Sequence, residues 1–72
     1  MITVTNRDTL KAAYVDPKNI QHIEALQDEI KGRAYPFSRI FIKDEKENHD
    51  YFLDVIDSKD KIDRLIKEQS EK

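Results

Sequence analysis

His22 and Glu24 stand two residues apart in "NIQHIEAL", and on an extended backbone that spacing puts an imidazole and a carboxylate on one face. Such a pair could begin a metal site, but a tetrahedral site needs three or four ligands. The chain has no cysteine and one other histidine, His49. The pair therefore reads as solvent-facing, and no metal is expected. His49 lies in the polar stretch "DEKENHD", and no partner for it is evident. Ser38 and Ser58 carry hydroxyls, but neither stands in a nucleophile-elbow context, and Ser58 is placed to cap a helix. The carboxylates form no recognisable acid–base pair. The single glycine excludes a Gly-rich phosphate cradle. No catalytic or cofactor-binding residue is assigned, no small-molecule substrate is evident, and the chain is expected to be neither an enzyme nor a cofactor carrier.

The stretch "GRAYPFSR" offers a different chemistry: Arg33, Tyr35, Phe37 and Arg39 around Pro36. Aromatic and Arg side chains are the types that dominate binding energy at protein interfaces. They also suit stacking on single-stranded bases, with Arg33, Arg39 and Lys43 available for phosphate. The plainer reading has Phe37 beginning a strand and packing inward while Tyr35 covers the edge of the core. Arg33, Tyr35, Phe37 and Arg39 are the candidate interaction surface.

Positioning these residues falls to a very small fold. Seventy-two residues make one domain (1–72, with 70–72 expected to fray), close to the lower size limit for folding without a staple. Leu, Ile, Val and Phe make up about a quarter of the chain, above the range of disordered sequences despite 39% charged residues. Homodimerisation would supplement so small a core. The 13 basic and 15 acidic residues are interspersed, so no basic stripe exists for nucleic acid and the charge balance argues against it. No apolar run approaches membrane-spanning length and "MITVTNRD" lacks the features of a signal peptide, so a soluble, cytoplasmic protein is expected.

"ITVT" (2–5) alternates with the period of a strand, "NRD" reads as a turn, and "TLKAAYV" (9–15) can alternate as a second strand. "FSRIFIK" (37–43) and "YFLDVI" (51–56) read as a β-hairpin around the loop 44–50. Its expected faces are Ile40, Ile42, Leu53 and Val55 on one side, with Phe41 and Phe52 on the other. A C-terminal amphipathic helix over 58–69 carries Ile62, Leu65 and Ile66, capped by Asp57 or Ser58.

The ambiguous piece is 17–31. As a helix it has Asp16 as N-cap, Pro17 at the first position and Gly32 just past the end. As a strand, Ile20 and Ile23 fall on opposite faces unless a bulge intervenes. The strand assignment gives a small α+β fold: an antiparallel β-meander of four to five strands with one C-terminal helix packed on it. The alternative has 17–31 helical, giving two helices plus a hairpin. "KGRAYP" is expected to be an irregular connector.

The fragments "YVDPKNIQHIEAL", "RIFIK…YFLDV" and "IDSKDKIDRLI" together resemble the small flagellar and swarming-motility proteins and their bacterial and phage relatives. That resemblance implies a β-meander closed by one helix, with no catalytic residue. The chain departs from the pattern in having "NRD" where a glycine-bearing turn is usual, and in a longer segment 27–37. The "I-x-x-I-E-A" stretch, hairpin and "S-x-x-x-I" helix are also similar to the LytTR DNA-binding domain, whose DNA-contacting loops are basic where this loop is largely acidic. The expected function is a non-catalytic interaction module binding a larger protein or itself, in a bacterial or phage regulatory or motility setting. The alternative is a nucleic-acid-binding accessory protein.

Overall fold

In the computed structural model, residues 1–44, 46–47 and 49–70 are described. Glu45 and Asn48 of the expected hairpin loop, and residues 71 and 72 of the expected frayed end, lie outside the described residues. Ile2 and Val4 alternate with Thr3 and Thr5 in β1 (Ile2–Thr5), which pairs antiparallel with β2 (Ala12–Val15), Ile2 opposite Val15. Between them Asn6 Oδ1 accepts the amides of Asp8 at 2.8 Å and Thr9 at 3.1 Å, a turn that an Asn side chain favours. Leu10 is left-handed (φ 59°). This turn takes up Thr9 to Lys11, so the second strand is shorter than the 9–15 expected.

The helix-start signals at Asp16 and Pro17 are obeyed for one turn only. Asp16 accepts the Lys18 amide at 3.0 Å and Pro17 opens a 3-10 turn, Pro17–Asn19. The chain then enters β3 (Ile20–Ile30), antiparallel to β4 (Arg33–Asp44). The helical alternative for 17–31 is therefore overturned. The register shifts between Ile20 and His22, so Ile20 lies opposite Ile42 and Ile23 opposite Ile40. That bulge at Gln21 brings two isoleucines three residues apart onto the same face.

A two-residue turn joins β3 to β4, with Lys31 at φ 51° and Gly32 at φ 77°. Positive φ at both positions is the I′ geometry, whose twist matches that of the strands and lets pairing resume at once with Ile30 opposite Arg33. The expected irregular connector "KGRAYP" is thereby corrected: Lys31 and Gly32 form the turn, and Arg33 to Pro36 belong to β4. β5 (His49–Val55) reaches along β4 only as far as the Ser38–Val55 pair. Beyond it, β3 and β4 continue as a two-stranded ribbon. Counted from the closing Ile30–Arg33 pair, hydrogen-bonded pairs fall at alternate positions, which leaves Pro36, opposite Gln27, with its nitrogen toward the open side of β4.

The two-stranded and three-stranded sheets meet at one seam. Asn6 bridges Val55, the Arg7 amide donates to the Asp54 carbonyl (3.0 Å), and the Ile56 amide to the Thr5 carbonyl (3.0 Å). Helix α1 (Lys59–Ser70) starts where Ser58 Oγ accepts the Lys61 amide at 3.2 Å, an N-cap that resolves the Asp57-or-Ser58 choice. Its Ile62 is fully buried among Ile2, Val4, Val15, Ile40, Ile42 and Val55, with Ile20, Ile23, Leu53, Leu65 and Ile66 packed around them. Burying each such side chain is worth about 1.5–3 kcal/mol. The fold is thus the expected α+β arrangement, five antiparallel strands with one C-terminal helix packed on them.

Asp57, freed from capping, does something else. Its Oδ2 accepts the Thr5 amide (2.6 Å), its Oδ1 accepts Lys61 Nζ (2.7 Å), and its carbonyl accepts the Ser38 hydroxyl (2.7 Å). One residue therefore ties β1, α1 and β4 together. Burial works to raise the Asp57 carboxyl, but the bonds from Lys61 and the Thr5 amide outweigh it and hold the group below the usual carboxylate range.

Candidate functional site

Side chains alternate across β4. Ser38, Ile40 and Ile42 are buried on the helix-covered face. Arg33, Tyr35, Phe37, Arg39, Phe41 and Lys43 consequently share the opposite, outer face. The four candidate residues stand in one row along a single strand. Their neighbours in register are Ile30, Asp28, Leu26 and Glu24 on β3, with Asp54 on β5 also beside Arg39.

Over the three-stranded part, this face is already self-paired. The His22 ring lies 4.5 Å from that of Phe41, and Phe41 lies 6.5 Å from Phe52. Arg39 sits 4.4 Å above the Phe52 ring and forks onto Asp54, Nε to Oδ1 at 2.8 Å and a terminal nitrogen to Oδ2 at 3.3 Å. The bond to Asp54 holds the guanidinium above its ordinary range, against the effect of burial and with help from the charge of Glu24. A fork-to-carboxylate pair fixes the guanidinium plane as well as its charge.

Phe37 marks the boundary. It is 7% exposed although it lies on the outer face, because the Arg7 guanidinium roofs its ring at 4.1 Å and is itself ion-paired with Asp28. Phe37 thus sits inside β4 rather than at its start, covered from the outside. Past that roof the ribbon is open. Tyr35 is 47% exposed, Ile30 is 53% exposed, and Arg33 is exposed. Tyr35 does not close the edge of the core. The structure therefore brings Arg33 and Tyr35 together with Ile30 as an accessible patch, and gives Phe37 and Arg39 structural partners.

Sequence reading misses Arg7, Asp28, Asp54 and the triple role of Asp57. Arg7 meets Asp28, Asp54 meets Arg39, and Asp57 meets Thr5 and Ser38 across segments distant in the chain, which no local spacing signals; only the Asp57–Lys61 pair, at i,i+4, is local. A hint for Asp57 exists in hindsight: it precedes a helix whose cap is already supplied by Ser58.

His22 Nε2 and Glu24 Oε1 lie 3.2 Å apart, both exposed on the outer face. His49, expected in the loop, is the exposed first residue of β5, its Nδ1 3.6 Å from Glu47 Oε2. Among the described residues, no group of three or more His, Asp or Glu side chains could hold a metal ion. Ser38 is buried with its hydroxyl committed to Asp57. A depression of about 370 Å³ lies between Met1, Tyr14, Asn19, Ile42, Tyr51 and Leu53, but its carboxylate, Asp16, already accepts the Lys18 amide. Among the described residues no helix is long and apolar enough to cross a membrane. In comparisons with known proteins, no family model, no curated protein and no solved structure matches the chain.

Proposed function

We propose that this chain is a non-catalytic protein-interaction module that binds a polypeptide through the protruding end of the β3–β4 ribbon. The observation that carries this is the clustering of Ile30, Arg33 and Tyr35 on one face beyond the reach of β5, with Ile30 and Tyr35 about half exposed. A two-stranded ribbon is only marginally stable in water, and one that presents aromatic, apolar and Arg side chains gains by packing against another surface. The roof of Arg7 over Phe37 supports the reading from the other side, since it anchors the base of the ribbon and leaves the tip to reach outward. Following the motility-type proteins that its fragments resemble, the proposed setting is cytoplasmic and regulatory or motility-associated, in a bacterium or phage.

Site-specific photocrosslinking in the cells that make the protein tests this. A photoreactive phenylalanine in place of Tyr35 is expected to give a discrete protein adduct that the same group at Lys59, on the helix, does not give. Identical patterns from the two positions, or no adduct, overturn the proposal. The nucleic-acid alternative has less support, because Arg39 is committed to Asp54 and Arg7 to Asp28. A gel shift with single-stranded oligonucleotides that persists at physiological salt would favour it instead.

A further inference from the structure

The outer edge of β3 has no strand beside it. In the three-stranded sheet the order is β3-β4-β5, so among the described residues no strand pairs with the other side of the 11-residue β3. Among hydrogen-bonded strands, an edge of this length is either blunted or used. Lysine and proline, two of the usual blunting residues, are absent from "IQHIEALQDEI", and its bulge lies at Gln21, which leaves His22 to Ile30 regular. We propose that this edge pairs with the β3 of a second copy of the chain, antiparallel about a two-fold axis at Ala25, to make a continuous six-stranded sheet.

The register follows from hydrogen-bond parity and from charge. Counting from the closing Ile30–Arg33 pair, the even-numbered residues from Ile30 back to His22 spend their backbone groups on β4, and the bulge at Gln21 ends that alternation. The odd-numbered ones from Ile23 to Glu29, Ala25 among them, point theirs outward. A two-fold at Ala25 sets Ala25 against Ala25 and Ile23 against Gln27, so their outward amides and carbonyls find partners. It overlaps the regular parts of the two strands from His22 to Asp28.

Charge favours the same alignment. Centring on Ala25 places His22 opposite Asp28 on both sides of the axis and Glu24 opposite Leu26 of the second copy, and no carboxylate faces another. Of the neighbouring axes that parity allows, Gln27 brings no histidine opposite a carboxylate, and Ile23 leaves a shorter overlap before the bulge. Like charges directly opposed destabilise a strand pair. The acidity of β3 itself is partly compensated within each chain, since Asp28 is paired with Arg7 and Glu24 lies across from Arg39. An isologous pairing of this kind closes on itself. It also adds buried surface to a domain at the lower limit of self-sufficiency.

This inference rests on reading the chain as an interaction module, but it uses the strand edge and not the outer face of the ribbon. The chain contains no cysteine, so introduced ones report cleanly. At a hydrogen-bonded antiparallel pair the Cα atoms are ~5.5 Å apart, within disulfide range. Ala25→Cys is therefore expected to give a disulfide-linked dimer on mild oxidation. In the same register Gln27 faces Ile23 of the second copy. The two Gln27 positions are then separated by four residues, ~13 Å, so Gln27→Cys alone is expected to stay uncrosslinked. Mixing Gln27→Cys with Ile23→Cys is expected to restore the link. Sedimentation equilibrium of the unmodified chain is expected to show a monomer–dimer equilibrium that Ala25→Asp shifts to monomer with the circular dichroism unchanged, Ala25 being exposed. A chain that stays monomeric at millimolar concentration overturns the proposal, as does equal crosslinking at positions 25 and 27 or a dimer that survives Ala25→Asp. A monomer that still gives the Tyr35 adduct would sink the dimer and spare the interaction module.

Discussion

Removing the carboxylate of Asp57 cuts the tie between β1 and α1 while its backbone carbonyl keeps the Ser38 hydroxyl of β4, and the cost can be worked out contact by contact. The Thr5 amide would lose its acceptor at 2.6 Å in a half-buried position, which costs about 1–3 kcal/mol. The Lys61 pair contributes less, about 0.3–0.5 kcal/mol, because the lysine side chain is 57% exposed and the spacing is i,i+4. Loss of an anion beside the start of α1 adds about 0.3–1 kcal/mol. Asp57→Ala is therefore expected to cost about 2–4 kcal/mol in all, a large part of the stability of a domain this small. Asp57→Asn keeps an acceptor for Thr5 and loses only the charge, costing about 1 kcal/mol.

Urea unfolding followed by circular dichroism measures both. With a denaturant slope near ~1 kcal/mol per molar, the midpoint should fall by ~2–4 M for the alanine variant and ~1 M for the asparagine. Acid supplies an independent arm. The folded carboxyl titrates below its unfolded value, so between those two values the unfolded chain binds more protons and stability falls as pH falls. The contribution is complete above the ordinary carboxylate range, near pH ~4, and is lost as pH drops through the lowered value. The gap between the wild type and Asp57→Asn should thus narrow as pH drops below the ordinary carboxylate range. An alanine variant with an unchanged midpoint, or a gap that ignores pH, would refute the account of Asp57.

Further outcomes are expected from urea unfolding. Gly32→Ala meets no atom within 4 Å, so its cost should be purely that of a left-handed backbone, about 1 kcal/mol, while Lys31→Asn, which suits the I′ turn, should leave stability unchanged or raise it slightly. Ser58→Ala removes the acceptor of the Lys61 amide and should cost about 1 kcal/mol, with Ser58→Asp recovering most of it.

Much of this fold is legible in the order of residues, and the reasons differ by segment. β1, the core of β4 and β5 announce themselves because β-branched and aromatic residues recur with period two, and Ile62, Leu65 and Ile66 mark the buried stripe of the helix. The stretch 17–31 is ambiguous because its strongest cues serve two structures. Asp16 and Pro17 start a single 3-10 turn as readily as a helix, and Gly32 supplies a positive φ to a hairpin as readily as to a helix end. Pairing with residues 33–44 decides between them, and that information is not local. Pro36 obscures β4 for a related reason: a proline argues against a strand until it is known that one side of that strand is open. In the candidate site, the two-residue spacing of Arg33, Tyr35, Phe37 and Arg39 already implies a shared face once the segment is extended. Which of them are accessible depends on Arg7, Asp28 and Asp54, which the chain's topology delivers from elsewhere.

The placement of Pro36 on the open side of β4 has a consequence for growth. Past the end of β5 the ribbon has two lanes, and on the β4 lane a donor is missing midway. In the proposed dimer each ribbon would turn that proline-interrupted lane outward, so further side-by-side addition of ribbons, the first step toward a fibre, would meet a missing donor.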